Sequence, residues 1–370
     1  MTDLLKSAQD IATLFAVAEP IRQLTPFGNG HINDTFLVDD GSQQYVLQRI
    51  SPNAFPYPEK IMENMEKVTR HLINAIRTRG GDPARETLHV IPLKSGLPYY
   101  RDPQGHIWRM TLCIPDTISI DLPEHEDMFR ESGRAFGMFA HDLDSFPAAS
   151  LFETIARFHD TPNRVRAFED AVLQDSEKRL SSVMDLVRLY QDREHRAHEL
   201  VDALESGALP LRVTHNDTKL NNVLLDRKTG KAVCVIDLDT VMPGLVAYDF
   251  GDAIRFGANT AAEDERDRSR IHFSLPMFRA FAEGYLSACA DMLSDAELAS
   301  LSTGAWMMTY ECGMRFLTDY LQGDHYFHSA YADHNLVRAW DQMTLLQDME
   351  RHEQAMRQII QECAEKGKKA

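Results

Sequence analysis

Apolar positions along this chain follow two periods, and the change from one to the other divides it. Residues 21–38, 45–50 and 107–114 carry short apolar or alternating runs bounded by Gly, Pro, Asn or Asp, the pattern of strands. Residues 87–92 and 97–101 carry the same pattern more briefly and are also expected to be strands. One helical stretch interrupts them: residues 59–79 place Ile61, Met65, Val68, Leu72 and Ile76 along one side. Roughly the first 20 residues read as an amphipathic helix, with Leu4, Ile11, Leu14 and Phe15 apolar. Past Pro115 the helical period takes over. Helices are expected over 126–143, within 146–171, over 273–293 and 295–319, and as one long charged helix over 175–205. A last helix, 334–362, carries so many charges that it reads as a surface helix packed on one side. This order predicts an α+β fold of two lobes. A small antiparallel sheet with one main helix occupies 1–114, a larger and mainly helical lobe occupies 115–370, and the hinge falls near 113–117.

One stretch departs from the helical second half. Residues 212–240 read strand, loop, strand, turn, strand, with a polar cluster between apolar runs. Asp226-Arg227-Lys228-Thr229-Gly230-Lys231 suits a hairpin turn. Asp217 lies before it, Asn222 follows Asp217 by five residues, and Asp237 lies after the turn. Phosphoryl transfer to a hydroxyl needs these residue types. A carboxylate orients the hydroxyl and takes its proton, and Mg2+ takes oxygen ligands from one or two side chains beside the phosphates. Asp217 fits the first role, Asn222 and Asp237 the second. Lys219 stands where it could neutralise charge on the transferred group. His215-x-Asp217-x-x-x-x-Asn222 matches half of the protein-kinase pattern, while Asp237-Leu238-Asp239 lacks the Phe-Gly of the other half.

Other segments are read against that layout. Gly28-x-Gly30 turns between two strands, where backbone N–H groups could cover phosphates. The strand that carries the phosphate-pairing lysine of a kinase has Gln48 at that position, and Arg49 points to the other face. Either Gln48 is a neutral stand-in, or Arg49 serves after a bulge, or a cation comes from elsewhere. Glu59, Glu63 and Glu66 are expected to be surface charges. An adenine would meet backbone groups around Cys113, at the hinge. Asp249-Phe250-Gly251 spells a kinase triplet, but Asp249 is expected to be an N-cap or a brace for the Asp217 loop. His159 and Asp160 are either functional or belong to a helix end broken at Pro162. Arg315 either pairs with Asp319, four residues on, or lines an acceptor pocket with Tyr326. The charge run 262–268 is expected to be a solvated face.

Composition narrows the partners. Net charge is −17, from 39 Lys and Arg against 56 Asp and Glu, so neither nucleic acid nor an anionic membrane is expected to bind. A local pocket for ATP is not excluded by it. Five scattered cysteines without metal spacing point to a reduced, cytoplasmic protein. No signal peptide is expected from the N-terminal residues, and no apolar run approaches the ~18 residues of a membrane span.

The Asp217 loop together with Asp237 resembles the aminoglycoside phosphotransferase and choline kinase superfamily, small-molecule kinases with a protein-kinase-like fold. More narrowly, GHINDTFLV, YVLQRI, FRESGRAFG, LRVTHNDTKLNN, IDLDTVMPG, ECGMRFLTDYLQGDHYF and HNLVR are similar to the N-acetylhexosamine 1-kinases, which also carry YxLQR and hence the equivalent of Gln48. The resemblance implies ATP- and Mg2+-dependent phosphorylation of the anomeric hydroxyl of N-acetylglucosamine or N-acetylgalactosamine. It implies Asp217 as base, Asn222 and Asp237 as metal ligands, and Arg315 and Tyr326 facing the sugar, with His31 and Asp34 near the glycine turn as further candidates. A monomer is expected. Two other classes compete: a kinase of choline or an aminoglycoside, and an inactive nucleotide-binding module.

Overall fold

The computed structural model describes residues 2–28, 33–52 and 55–369. In chain order its strands are β1 (Gln23–Pro26), β2 (Asp34–Asp39), β3 (Gln44–Arg49), β4 (Tyr100–Arg101), β5 (Ile107–Leu112), β6 (Thr117–Ile118), β7 (Arg212–Thr214), β8 (Val223–Asp226), β9 (Ala232–Val235) and β10 (Met242–Gly244). Its helices are α1 (Thr2–Ala12), α2 (Pro58–Thr78), α3 (Pro83–Glu86), α4 (Glu126–Asp142), α5 (Thr161–Gln174), α6 (Met184–Gln191), α7 (Glu199–Glu205), α8 (Val246–Gly257), α9 (Leu275–Cys289), α10 (Asp295–Gln322) and α11 (His334–Gly367). They form two units. The first holds residues 1–119, 149–155 and 223–242, and the second holds the rest.

The first unit is built on an antiparallel sheet of order β1-β2-β3-β5-β4. Alternation along the strands gives it two faces. On one, Phe36, Leu47 and Met110 lie opposite one another and pack with Ala8, Ile11 and Phe15 from and just beyond α1. On the other, Thr35, Gln48 and Arg109 lie in a row, and the Arg109 guanidinium meets the Met65 sulfur of α2 at 3.8 Å. The hairpin of β8 and β9 adds β6 to make a separate three-stranded sheet.

Two expected strands are reduced. Residues 87–92 make one isolated bridge, Val90 to Thr111, with Ile91 N–H donating to Met110 at 2.8 Å. Pro92 has no N–H with which to continue a ladder. Of 97–101, Tyr100 and Arg101 alone pair, because a turn closed by Leu93 N–H to the Leu97 carbonyl takes up the preceding residues. The N-terminal helix also ends earlier than expected, at Ala12.

The second unit is helical around a core that includes Phe168, Tyr190, Trp306, Met314 and Leu346. Helices α8 and α10 cross at two glycines, and a Cβ on Gly304 would stand 2.0 Å from the backbone oxygen of Ala247. Neither backbone can yield as a side-chain tip can. Gly304→Ala is therefore expected to destabilise the protein by about 1–3 kcal/mol, read as a lower urea midpoint; an unchanged midpoint would show that the crossing tolerates separation.

Three helical expectations are corrected here. The long helix over 175–205 is broken into α6 and α7 with single 3₁₀ turns before each. Asp175 closes α5 in a left-handed conformation, φ +39°, and its carboxylate accepts from Leu180 N–H at 2.9 Å, a local bond that competes with helix continuation. Pro162 begins a helix rather than breaking one: Asp160 caps α5 by accepting from Asn163 N–H at 2.9 Å, and proline is tolerated in the first turn. Helix α11 is packed on one side with an exposed charged side only from Arg351 on; before that Asn335, Asp341 and Gln342 are buried along with its apolar residues. Asn335 donates to Asp319 at 3.0 Å.

Candidate active site

In the second unit, the loop after β7 is held from beneath by α8. The Asp249 carboxylate accepts from the backbone N–H groups of His215 (2.8 Å) and Asn216 (2.7 Å). Thr218 N–H donates to Asp252 at 3.0 Å, and the Thr218 hydroxyl to the Asp249 carbonyl at 2.6 Å. Helix α8 begins at Val246, so Asp249 is the expected brace and not an N-cap. The His215 ring is buried against Phe136 and Phe139, with centroids 5.4 and 5.9 Å away. Asn216 takes φ +64°, a conformation that Asn accommodates better than most residues. Anchoring both neighbours leaves Asp217 turned outward, with about 32% of its side chain exposed.

Asp217, Lys219 and Asn222 come together as the spacing predicted. The Lys219 ammonium lies 3.1 Å from Asp217 Oδ1. Asn222 Nδ2 donates to Asp217 Oδ2 at 3.0 Å and to its carbonyl at 2.8 Å, which leaves the Asn222 side-chain oxygen for a ligand. Burial works to raise the Asp217 pKa, but the charges of Lys219 and His215 and the bonds from Lys219 and Asn222 outweigh it, so the carboxyl stays below its usual range. Asp217 in turn raises the pKa of Lys219, with Asp252 and Glu263 adding to the effect.

Asp249 behaves oppositely. Burial, its largest influence, pushes the carboxyl up to about 6 against the pull of His215 and the two N–H groups. As pH falls through that value Asp249 takes up a proton and becomes a weaker acceptor, while Asp217 remains ionised. The acid limb of kcat is expected near pH 6 and belongs to Asp249. A profile that stays flat through pH 6 would take Asp249 out of this role.

Around this loop the sequence reading missed Asp252, Arg255 and Glu263. Arg255 is buried, donating to Asp252 Oδ1 at 3.0 and 3.1 Å and to Glu263 Oε1 at 2.6 Å. Glu263 thus leaves the charge run 262–268, which is not wholly a solvated face. Arg315 does not pair with Asp319. Its guanidinium lies over the rings of Phe158, Tyr326 and Phe327 at 5.3–5.5 Å and donates to the Tyr326 hydroxyl at 3.3 Å. Asp319 instead accepts from the N–H groups of His325, Tyr326 and Phe327, fixing the loop that presents Tyr326. Arg164 lies near enough to Arg315 for that charge, after burial, to depress its pKa. His159 is structural in its contacts: Nδ1 meets the buried Glu311 at 3.0 Å, and Thr161 donates to the same carboxylate.

In the first unit, Gly28 follows β1 at φ +77° with open space where a Cβ would be. Gly30 and His31 lie outside the described residues. The register of β2 with β3 is regular, Asp34 opposite Arg49 and Thr35 opposite Gln48, so no bulge redirects Arg49. Arg49 pairs with Asp34 at 2.6 Å. Gln48 donates to Thr35 at 3.3 Å and accepts from Arg109 Nε at 3.0 Å. Arg109, across from Gln48 on β5, is a buried cation paired with Asp239. Of the α2 glutamates, Glu59 pairs with Arg101 and Glu63 with Lys60 at the surface. Cys113 is half-buried, its N–H on the Gln44 carbonyl at 2.9 Å. Asp237 is exposed just beyond β9 in a left-handed conformation, φ +59°. No helix among the described residues is long and apolar enough to cross a membrane.

Solved structures share this fold. An aminopropanol kinase associated with a microcompartment superposes with TM-score 0.62 at 20% identity, over 95% of this chain and 98% of that one. An amicoumacin kinase with AMP-PNP and Ca2+ gives 0.55 at 14% identity, covering 96% and 93%. A choline kinase from Cryptosporidium parvum gives 0.56 at 12%, covering 96% and 97%. At such identities the likeness is one of fold. The sequence goes further: the model of the phosphotransferase enzyme family APH matches residues 23–284, a span that contains Asp217, Asn222, Asp237 and Asp249. This match takes in well over half of the chain, and the chain belongs to the APH phosphotransferase family.

Proposed function

We propose that this phosphotransferase moves the γ-phosphoryl group of ATP to the anomeric hydroxyl of an N-acetylhexosamine, giving the sugar 1-phosphate. The observation that carries the phosphoryl-transfer reading is the Asp217 carboxylate, kept ionised, partly exposed and held between Lys219 and Asn222. It orients the hydroxyl and takes its proton as the new P–O bond forms, and ADP departs. Lys219, paired with Asp217, would neutralise negative charge that develops on the transferred group.

The donor set fits a hard cation: the side-chain oxygen of Asn222 and the carboxylate of Asp237 are the oxygen ligands that Mg2+ prefers. Among the described residues no three His, Cys, Asp or Glu side chains form a metal cluster, which agrees with a shell completed by phosphates and water. A Mg2+ ion held with ATP by such ligands would neutralise charge on the phosphates.

For the acceptor, the resemblance to N-acetylhexosamine 1-kinases selects the sugar, and the surroundings of Arg315 support a neutral one. If Arg315 faces the acceptor, as the resemblance implies, it and the nearby Arg164 would repel an acceptor that carries an ammonium. The aromatic rings of Phe158 and Tyr326, grouped around Arg315, would suit the apolar face of a pyranose. The test is ADP release with Mg-ATP against N-acetylglucosamine, N-acetylgalactosamine, glucose, choline, aminopropanol and kanamycin. Turnover confined to the N-acetylated sugars, with product phosphorylated at C1, is expected. Turnover with the amines alone would replace the acceptor assignment while keeping phosphoryl transfer.

A further inference from the structure

Asp237 has an uncommon combination of features for a metal ligand. It is exposed, and it adopts φ +59° although it is not glycine. Such conformations persist where the surroundings over-determine them. The anchors of the segment around it belong to the first unit. Two residues on, Asp239 is 2% exposed and both its oxygens are engaged: Oδ1 by the Arg109 guanidinium, Oδ2 by Asn33 Nδ2 at 2.9 Å. Between them Leu238 is 1% exposed. Two residues further, the Val241 carbonyl accepts from Asn64 of α2 at 3.0 Å. The segment is therefore tied to β5 through Arg109, to the residue before β2 through Asn33, and to α2 through Asn64.

These tethers share their anchors with the rest of the unit. Gln48 fixes the Arg109 guanidinium by accepting from its Nε, and Thr35 fixes Gln48. Asn33 also accepts from Ser51 N–H at 3.0 Å, so its amide is fixed at both ends. The Arg109–Asp239 pair is too deeply buried to touch a nucleotide, and each charge neutralises the other. What it can do is fix the backbone from which Asp237 projects.

We infer that Arg109 and Asn33 are positioning residues, which aim the Asp237 carboxylate at the metal by anchoring Asp239. The inference rests on the reading of Asp237 as a Mg2+ ligand. It also gives Gln48 a place, as the residue that orients the buried cation.

The test separates metal binding from folding and from nucleotide binding. AMP-PNP affinity is measured by calorimetry with and without Mg2+, and the ratio is the metal-dependent gain. Asn33→Asp keeps an acceptor for Ser51 N–H but removes the donor to Asp239 and sets two carboxylates together. It is expected to weaken the Mg2+ dependence by about 10–100-fold, with metal-free AMP-PNP affinity and the melting temperature little changed. Arg109→Lys should lose less than the double variant Arg109→Met/Asp239→Asn, which removes the tether without leaving a charge unpaired. Should Asn33→Asp melt early, the double variant supplies the same comparison. An undiminished gain in the variants, or an equal loss with and without Mg2+, would overturn the inference while sparing the proposed function. Absence of any gain in the wild-type protein would overturn both.

Discussion

Asp217→Asn is expected to lower kcat by roughly 10²–10⁴-fold, the contribution of a positioned general base, with the KM for ATP little changed. The amide is isosteric and can still accept from Lys219, so the loop has no steric reason to move. About a third of each partner in the Asp217–Lys219 pair is exposed, and the stability change should stay within about 1 kcal/mol. Coupled ADP release and a thermal melt check both statements. The size of the loss is informative in itself. An anomeric hydroxyl is more acidic than an ordinary alcohol, so a base that mainly orients its acceptor gives a fall near the lower end. A wild-type rate in Asp217→Asn would remove Asp217 from the mechanism.

The contacts made within a few residues were the ones legible in the sequence. Asp217, Lys219 and Asn222 meet because five residues of loop bring them together, and the spacing alone reports it. The sheet with α2 and the helical second unit likewise follow from periodicity. Long-range partners left no such trace. Asp239 lies 130 positions from Arg109, and only the β3–β5 register sets Arg109 opposite Gln48, so the cation that serves this face could not be found by inspecting β3. Glu263 looked like part of a solvated charge run because its partner, Arg255, lies in a different element. The helix expected over 175–205 failed for a local reason: apolar spacing says nothing of a side chain such as Asp175 that offers the backbone a competing bond. In α11, polar residues were counted as surface although Asn335 is buried and partnered by Asp319 and Asp324.

Arg255→Met is expected to cost about 3–5 kcal/mol, the usual penalty for leaving buried charge uncompensated, seen as a lower urea midpoint at neutral pH. Methionine approximates the volume of the arginine stem, so packing is largely kept and charge is what changes. Asp252 and Glu263 then face each other's field, with Lys219 a remaining cation that both act on. Drawn toward them, the ammonium stabilises Asp217 less, and the Asp217 pKa rises from its lowered position. Turnover should therefore fall, while the acid limb near pH 6, which belongs to Asp249, is expected to keep its place. Arg255→Met/Glu263→Gln removes one of the orphaned charges, and it is expected to regain part of both stability and activity. That rescue separates electrostatics from packing: a packing defect would persist in the double variant, whereas an electrostatic one recedes with the charge. Since Asp252 also accepts from Thr218 N–H, the same substitution tests whether the support beneath the Asp217 loop is shared between structure and catalysis. A single variant that keeps wild-type stability and turnover would place Arg255 outside that support.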